Sequence, residues 1–114
     1  MKNITILGSI GSIGTQTLEV IERDQELYNL VAISGNNNIE LLAEQAKKFH
    51  PDYIALFNEK KLNNLKELLG NHRIKIVCGL EGLCEIASLP EVDIVVTSVV
   101  GNIGLLPTVA AIKA

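Results

Sequence analysis

The sequence predicts an α/β fold in which an open, doubly wound parallel sheet lies between two layers of helices. Short β-rich runs recur along the 114 residues, and the segments between them have the period of amphipathic helices. The connections between these segments are short. Because strands that alternate strictly with helices pair in parallel through right-handed crossovers, we expect three layers, α/β/α.

Five segments are predicted to form the strands. Each of them is mostly apolar rather than alternating, which is typical of parallel strands that helices cover on both faces. In chain order they are residues 4–7, 30–33, 53–56, 74–77 and 94–97.

Five segments with helical periodicity follow the strands, and turn residues agree with their limits. Asn38 is expected to cap the second helix, Gly70 to end the third, and Pro107 to lie in the first turn of the fifth. The residues predicted to face the core are Ile13, Thr17, Val20 and Ile21, then Ile39, Leu42, Ala43 and Ala46, then Leu62, Leu65, Leu68 and Leu69, then Leu80, Leu83, Cys84 and Ala87, and finally Leu105, Leu106, Val109 and Ala110.

The whole chain, residues 1–114, is expected to form one domain, because no linker, repeat or low-complexity segment interrupts the pattern. The last helical pattern reaches Ala114 without a capping residue. We therefore expect a truncated domain, with the catalytic and C-terminal domains outside this chain.

Composition and charge exclude several classes of protein. Hydrophobic residues make up 47% and charged residues 20%, and the net charge of −3 is opposite to that of a nucleic-acid-binding protein. No apolar run approaches the ~20 residues of a membrane span, and the N-terminus lacks an export signal. We expect a cytoplasmic protein without nucleic-acid or membrane partners. Cys78 and Cys84 are expected to be packed thiols rather than metal ligands.

The glycine-rich segment after the first strand is the clearest functional signal. Residues 8–14 read Gly-Ser-Ile-Gly-Ser-Ile-Gly and open the first helix. Gly8 is expected to turn the chain off the strand, Gly11 to let a phosphate approach backbone N–H groups, and Gly14 to let the helix lie close to the sheet. The alternative is that this segment is only a tight turn.

A diphosphate bound by this segment would lie at the N-terminus of the first helix. Unpaired backbone N–H groups and the positive end of the helix dipole face that position. The hydroxyls of Ser9 and Ser12 are expected to add donors. A P-loop is excluded because no Gly-Lys-Ser or Gly-Lys-Thr follows. The position of residues 8–14 between a strand and a helix favours nucleotide binding over the tight-turn alternative.

The end of the second strand favours NADP over NAD. A site for NAD usually has an acidic residue there for the ribose 2′-hydroxyl, but residues 34–38 read Ser-Gly-Asn-Asn-Asn. Without a carboxylate to repel it, a 2′-phosphate is expected to contact the side-chain amides of Asn36, Asn37 and Asn38, the Ser34 hydroxyl and loop N–H groups. The alternative is that the asparagines only form a turn and, at Asn38, a helix cap.

The third segment of interest, residues 98–104, follows the fifth strand and contains Gly101 and Gly104. It is expected to flank the nicotinamide half of the cofactor, or else to be an ordinary connection.

His50 and His72 are expected in solvated loops, and no tyrosine has a lysine four residues later. The catalytic groups are therefore expected to lie outside this chain.

Three segments together resemble the N-terminal domain of the 1-deoxy-D-xylulose 5-phosphate reductoisomerase family. They are Lys2-Asn3-Ile4-Thr5-Ile6-Leu7 with the glycine-rich segment, Asn36-Asn37-Asn38 with Ile39-Glu40-Leu41-Leu42, and Val100-Gly101-Asn102-Ile103-Gly104-Leu105-Leu106-Pro107-Thr108. The resemblance runs over the whole chain and implies a Rossmann-like cofactor domain.

The resemblance also implies a function. Members rearrange 1-deoxy-D-xylulose 5-phosphate, a phosphorylated sugar, and reduce the product to 2-C-methyl-D-erythritol 4-phosphate with NADPH in non-mevalonate isoprenoid biosynthesis. In the family the positions matching Ile10, Gly11, Ser12 and Ile13 contact the cofactor diphosphate, and those matching Asn36, Asn37 and Asn38 surround the adenosine ribose and its phosphate.

The same resemblance implies features that this chain does not contain by itself. The family uses a divalent metal, Mg or Mn, whose ligands belong to the sequence after this chain, and its members are cytoplasmic homodimers. Alternatives are the cofactor domain of a semialdehyde or homoserine type of NAD(P)-dependent dehydrogenase, or a non-catalytic nucleotide-sensing module.

Overall fold

The computed structural model describes residues 2–9, 12–35, 38–70 and 73–97, with only the backbone for residues 12 and 13. The fifth predicted helix and the predicted loop at residues 98–104 lie outside this part of the chain.

The described elements follow the predicted alternation of strand and helix. All five predicted strands are confirmed, and only the fourth is displaced, by one residue toward the C-terminus. In chain order the elements are β1 (Lys2–Leu7), α1 (Ser12–Arg23), β2 (Tyr28–Gly35), α2 (Ile39–Phe49), β3 (Tyr53–Leu56), a 3-10 turn (Glu59–Lys61), α3 (Leu62–Leu69), β4 (Lys75–Cys78), α4 (Gly79–Ala87) and β5 (Ile94–Thr97).

The five strands form one sheet in the order β4-β3-β2-β1-β5, and every neighbouring pair is parallel. The chain moves outward from β1 to β4 and then returns to add β5 on the other side of β1. The topological switch point therefore lies between β1 and β5, and an open sheet of this kind binds ligands there, outside the carboxyl ends of its strands.

Two apolar cores cover the two faces of the sheet, as the three-layer prediction requires. The larger core joins α1, α2 and α3 to one face through residues such as Ile6, Leu42 and Leu65. The smaller core joins α4 to the other face through Leu83 and Ile86.

A bulge in β2 changes which residues face each core. Ile4 of β1 pairs with Leu30, but the next residue, Thr5, pairs with Ala32, so Val31 is an extra residue in β2. As a result Val31 and Ala32 both join the smaller core, and Leu30 and Ile33 both join the larger one.

The predicted inward faces of the helices are right for α2 and wrong in part for the others. All four predicted residues of α2 are buried. Val20 of α1, Leu68 of α3 and Leu80 of α4 are each 37% exposed, while Leu18 of α1 is buried. In α1 and α4 a glycine in close contact with backbone sets the rotation of the helix: a Cβ at Gly82, for example, would lie 2.9 Å from the carbonyl carbon of Val77.

This rotation of α1 gives a pair of substitutions with different expected effects. Leu18→Ala should lower the free energy of unfolding by about 2 to 4 kcal/mol, because it leaves a cavity in the larger core. Val20→Ala, two residues later, should change it by less than about 0.5 kcal/mol, because the side chain is exposed. Urea unfolding followed by circular dichroism measures both free energies of unfolding. Equal losses of stability in the two variants would indicate that Val20 faces the core, as the sequence predicts.

Candidate functional site

The turn after β1 begins with a glycine in a conformation that other residues rarely adopt. Gly8 has a φ of +81°, in the left-handed region where a side chain is strained. The prediction that Gly8 turns the chain off the strand is confirmed. Ile10 and Gly11, the next two residues of the glycine-rich segment, lie outside the described residues.

Gly14 lies in the first turn of α1, directly against the turn after β1. A Cβ at this position would collide with the carbonyl oxygen of Gly8 and would lie 2.7 Å from the Cα of Ser9. The predicted close approach is therefore confirmed, and the helix packs against the backbone of the turn itself. Ser12 and Ile13 precede Gly14 in this first helical turn, so their backbone N–H groups belong to the N-terminus of α1.

The end of β2 holds the beginning of the turn in place. The backbone N–H of Gly8 donates to Ser34 Oγ at 2.7 Å, and the N–H of Ser9 donates to the carbonyl oxygen of Ser34 at 3.0 Å. The Ser34 residue is only 1% exposed. The prediction that its hydroxyl contacts a 2′-phosphate is therefore wrong, because the group is buried and binds the turn after β1 to the end of β2.

Ser9 has a similar internal role. Its hydroxyl donates to Oε1 of Gln45 at 2.6 Å, and Nε2 of Gln45 donates to the Ser9 carbonyl oxygen at 3.0 Å. Because Ser9 is fully buried, the prediction that its hydroxyl is a donor for a ligand is also wrong. The side chain of Ser12, the other predicted donor, lies outside the described residues.

Gln45 belongs to none of the motifs from which the site was predicted. A signal was present, since Gln45 is three residues after Leu42 and adjacent to Ala46, both of which were predicted to face the core. A polar residue at that position of an amphipathic helix indicates a buried hydrogen-bonding partner, because buried amides are almost always paired.

The predicted contacts to the ribose phosphate begin at the end of β2. Asn36 and Asn37 lie outside the described residues. Asn38 is the N-cap of α2, and its side-chain oxygen accepts a hydrogen bond from the backbone N–H of Leu41 at 3.3 Å. The capping role is confirmed. The cap uses the side-chain oxygen of Asn38, whereas the predicted contact with a phosphate uses the N–H groups of the same carboxamide.

Parallel pairing brings the two predicted segments to one edge of the sheet. Since β1 and β2 are neighbours, the turn after Leu7 and the segment after Gly35 leave the sheet side by side. On the other side of β1, Thr97 at the end of β5 pairs with Leu7. The arrangement brings the N-terminus of α1 and the carboxyl ends of β1 and β5 to the switch point, which suits a ligand that carries a diphosphate.

The described residues contain no cluster of three or more His, Cys, Asp or Glu side chains that suits a metal ion. Among the helices in this part of the chain, none has the length and apolar character needed to cross a membrane.

Cys78, at the end of β4, has a pKa above its ordinary value because burial disfavours the thiolate, with a further contribution from the nearby Glu59.

Comparison with known sequences finds one family. The family model described as 1-deoxy-D-xylulose 5-phosphate reductoisomerase matches residues 4–114. The reductoisomerase of Chloroherpeton thalassium is 51% identical over 114 residues, covering 100% of this chain and 30% of that protein. The reductoisomerase of Bacteroides thetaiotaomicron is 48% identical over 113 residues, covering 99% of this chain and 29% of that protein. The chain thus spans less than a third of these relatives.

Solved structures of the same family share the fold. A reductoisomerase from Zymomonas mobilis in complex with NADPH matches with a TM-score of 0.92 and 33% identity, over 98% of this chain and 29% of that one. A second reductoisomerase, in complex with NADPH, fosmidomycin and magnesium, matches with a TM-score of 0.92 and 35% identity, over 97% of this chain and 28% of that one.

Gly14→Ala tests the close contact between α1 and the turn. Helix propensity alone would predict a gain in stability of about 1 kcal/mol. We instead expect a loss of about 2 kcal/mol, because the added Cβ meets backbone atoms that cannot move independently. Gln16→Ala, an exposed position of the same helix, is the control and should stay within about 0.5 kcal/mol. A stabilised Gly14→Ala variant in thermal unfolding would contradict this packing.

The raised pKa of Cys78 predicts slow alkylation. In a Cys84→Ser variant, iodoacetamide should react with Cys78 through a pH profile whose midpoint lies above that of the same variant unfolded in urea. The direction follows because a raised pKa lowers the fraction of reactive thiolate at any given pH. A folded-state midpoint at or below the unfolded one would refute the burial argument.

Proposed function

The chain belongs to the 1-deoxy-D-xylulose 5-phosphate reductoisomerase family, and we propose that residues 1–114 form the NADP-binding domain of such an enzyme. The observation that carries the proposal is the tight turn between β1 and α1, located at the switch point of the sheet. Two matching structures of the family are complexes with NADPH, which supports the same assignment.

The diphosphate of NADPH would contact Ile10, Gly11, Ser12 and Ile13. Support comes from the groups around it: Gly8 turns the chain toward this position, and Gly14 lets α1 begin directly beside it. Backbone N–H groups at the beginning of a helix have no partner within the helix and suit a diphosphate, because they donate toward negative charge.

The adenosine ribose and its 2′-phosphate would lie beside Asn36, Asn37 and Asn38. The Ser34 hydroxyl is buried, so the preference for NADPH rests on these amides, on loop N–H groups and on the lack of a carboxylate at the end of β2. Asn38 lies at the N-cap of α2, so the positive end of a second helix also faces this region.

The proposed reaction of the whole enzyme is the rearrangement and reduction of 1-deoxy-D-xylulose 5-phosphate to 2-C-methyl-D-erythritol 4-phosphate. NADPH, when bound, supplies the hydride. The residues of this chain would bind and orient the cofactor. The substrate-binding groups and the carboxylates that hold Mg or Mn would belong to other domains, in a cytoplasmic homodimer. The match to this family favours the reductoisomerase over the semialdehyde and homoserine dehydrogenase types.

A cofactor titration tests the proposal. The protein should bind NADPH at least about tenfold more tightly than NADH, because charge-assisted hydrogen bonds to the 2′-phosphate are worth about 1.5 to 3 kcal/mol. Gly11→Val should weaken the binding of both cofactors by a similar factor, because both carry the diphosphate. Gln25→Val, at an exposed position in the connection between α1 and β2, should leave both unchanged.

Fluorescence of the reduced nicotinamide reports binding of both cofactors in these titrations. Equal affinity for NADPH and NADH would remove the assignment of the three asparagines. Unchanged binding in the Gly11→Val variant would remove the diphosphate assignment.

A further inference from the structure

We propose that Gln45 of α2 is a positioning residue for the diphosphate-binding turn, an inference that rests on the proposed function. In the described part of the chain, the buried polar residues are Thr5, Ser9, Ser34 and Gln45. Thr5 bonds to the Ile86 carbonyl on the face that α4 covers. The other three meet at the turn after β1, so buried polarity is concentrated where the ligand would bind.

The burial of Gln45 has an energetic disadvantage that its partners offset. A glutamine loses more side-chain entropy on burial than leucine does, and its amide loses its hydrogen bonds to water. Both polar atoms of the Gln45 side chain are hydrogen-bonded to one residue, Ser9. Oε1 accepts from the Ser9 hydroxyl, and Nε2 donates to the Ser9 carbonyl oxygen. Since a carbonyl oxygen only accepts, it must face the amide nitrogen, which fixes the orientation of the side chain.

Three polar groups of Ser9 are consequently hydrogen-bonded within the protein. Its backbone N–H is bound to the end of β2, while its hydroxyl and carbonyl are bound to α2. Ser9 is the last residue before Ile10 and Gly11, where the diphosphate contacts are proposed. These hydrogen bonds fix Ser9, and with it the point from which the chain continues toward the proposed contacts. A residue that is fixed before the ligand arrives avoids an ordering cost on binding.

The same helix also begins at the other half of the proposed cofactor site. Asn38 caps α2, and Gln45 follows seven residues later, about 10 Å along the helix axis. One helix thus carries both Asn38, at the end of the segment proposed to bind the ribose phosphate, and Gln45, which is hydrogen-bonded to Ser9. Gln45 therefore sets the position of the diphosphate-binding segment relative to the ribose-phosphate segment.

Gln45→Met tests the inference, because methionine has a similar length but cannot make either hydrogen bond. NADPH should bind about tenfold more weakly to this variant. Adenosine 2′-phosphate, which has no diphosphate, should bind within about twofold of its affinity for the unchanged protein, measured by NMR titration. Ala46→Gly is the matched control: it destabilises the adjacent position of α2 by about 1 kcal/mol without touching Ser9, and it should leave NADPH binding unchanged.

Ser9→Ala provides a second and milder variant that removes only the hydroxyl partner. Because Gln45 is proposed to act through Ser9, the effects of Ser9→Ala and Gln45→Met on the NADPH dissociation constant should be less than additive in the double variant. Additive effects would contradict the proposed coupling.

The possible results separate this inference from the proposed function. Equal weakening of NADPH and adenosine 2′-phosphate by Gln45→Met, or the same loss of NADPH binding in Ala46→Gly, would show a purely structural role and overturn the inference alone. Failure of the unchanged protein to bind NADPH would overturn the proposed function, and the inference with it.

Discussion

The absence of a side chain at Gly14 is the constraint on which the arrangement of the site depends. Because α1 lies against the backbone of Gly8 and Ser9, its first turn begins directly at the carboxyl edge of the sheet. The same contact sets the rotation of α1, so that Leu18 and Ile21 face the larger core. One close approach therefore decides both the direction of the helix N-terminus and the packing of the helix.

This close approach buries backbone groups that must find partners within the protein. Ser34 supplies a hydroxyl and a carbonyl for the two N–H groups of Gly8 and Ser9, and Gln45 satisfies the Ser9 carbonyl. No buried side-chain nitrogen or oxygen among the described residues lacks a partner. These hydrogen bonds favour a single conformation of Gly8 and Ser9, which a site built from the neighbouring backbone N–H groups would require.

The topology makes the carboxyl end of β1 the expected place for a ligand. Strand β5 lies on the other side of β1 from β2, and an open sheet binds ligands at such a switch point. Helices α1 and α2 both begin at this edge. We propose that this edge is the binding edge of a cofactor domain. The chain spans less than a third of its relatives, and we propose that the chemistry on the sugar phosphate belongs to the remainder.

The sequence by itself determined the order and type of the elements and the place of the glycine turn after β1. Apolar runs and helical periods repeat locally, and the roles of Gly8, Gly14 and the Asn38 cap follow from backbone geometry within a few residues. Tertiary structure decided which side chains remain available to a ligand. Ser9 and Ser34 are suitable donors by type, but pairing of β1 with β2 buries them against each other and against Gln45. The bulge at Val31 has the same origin, because it depends on the pairing of β1 with β2, two segments that are distant in sequence.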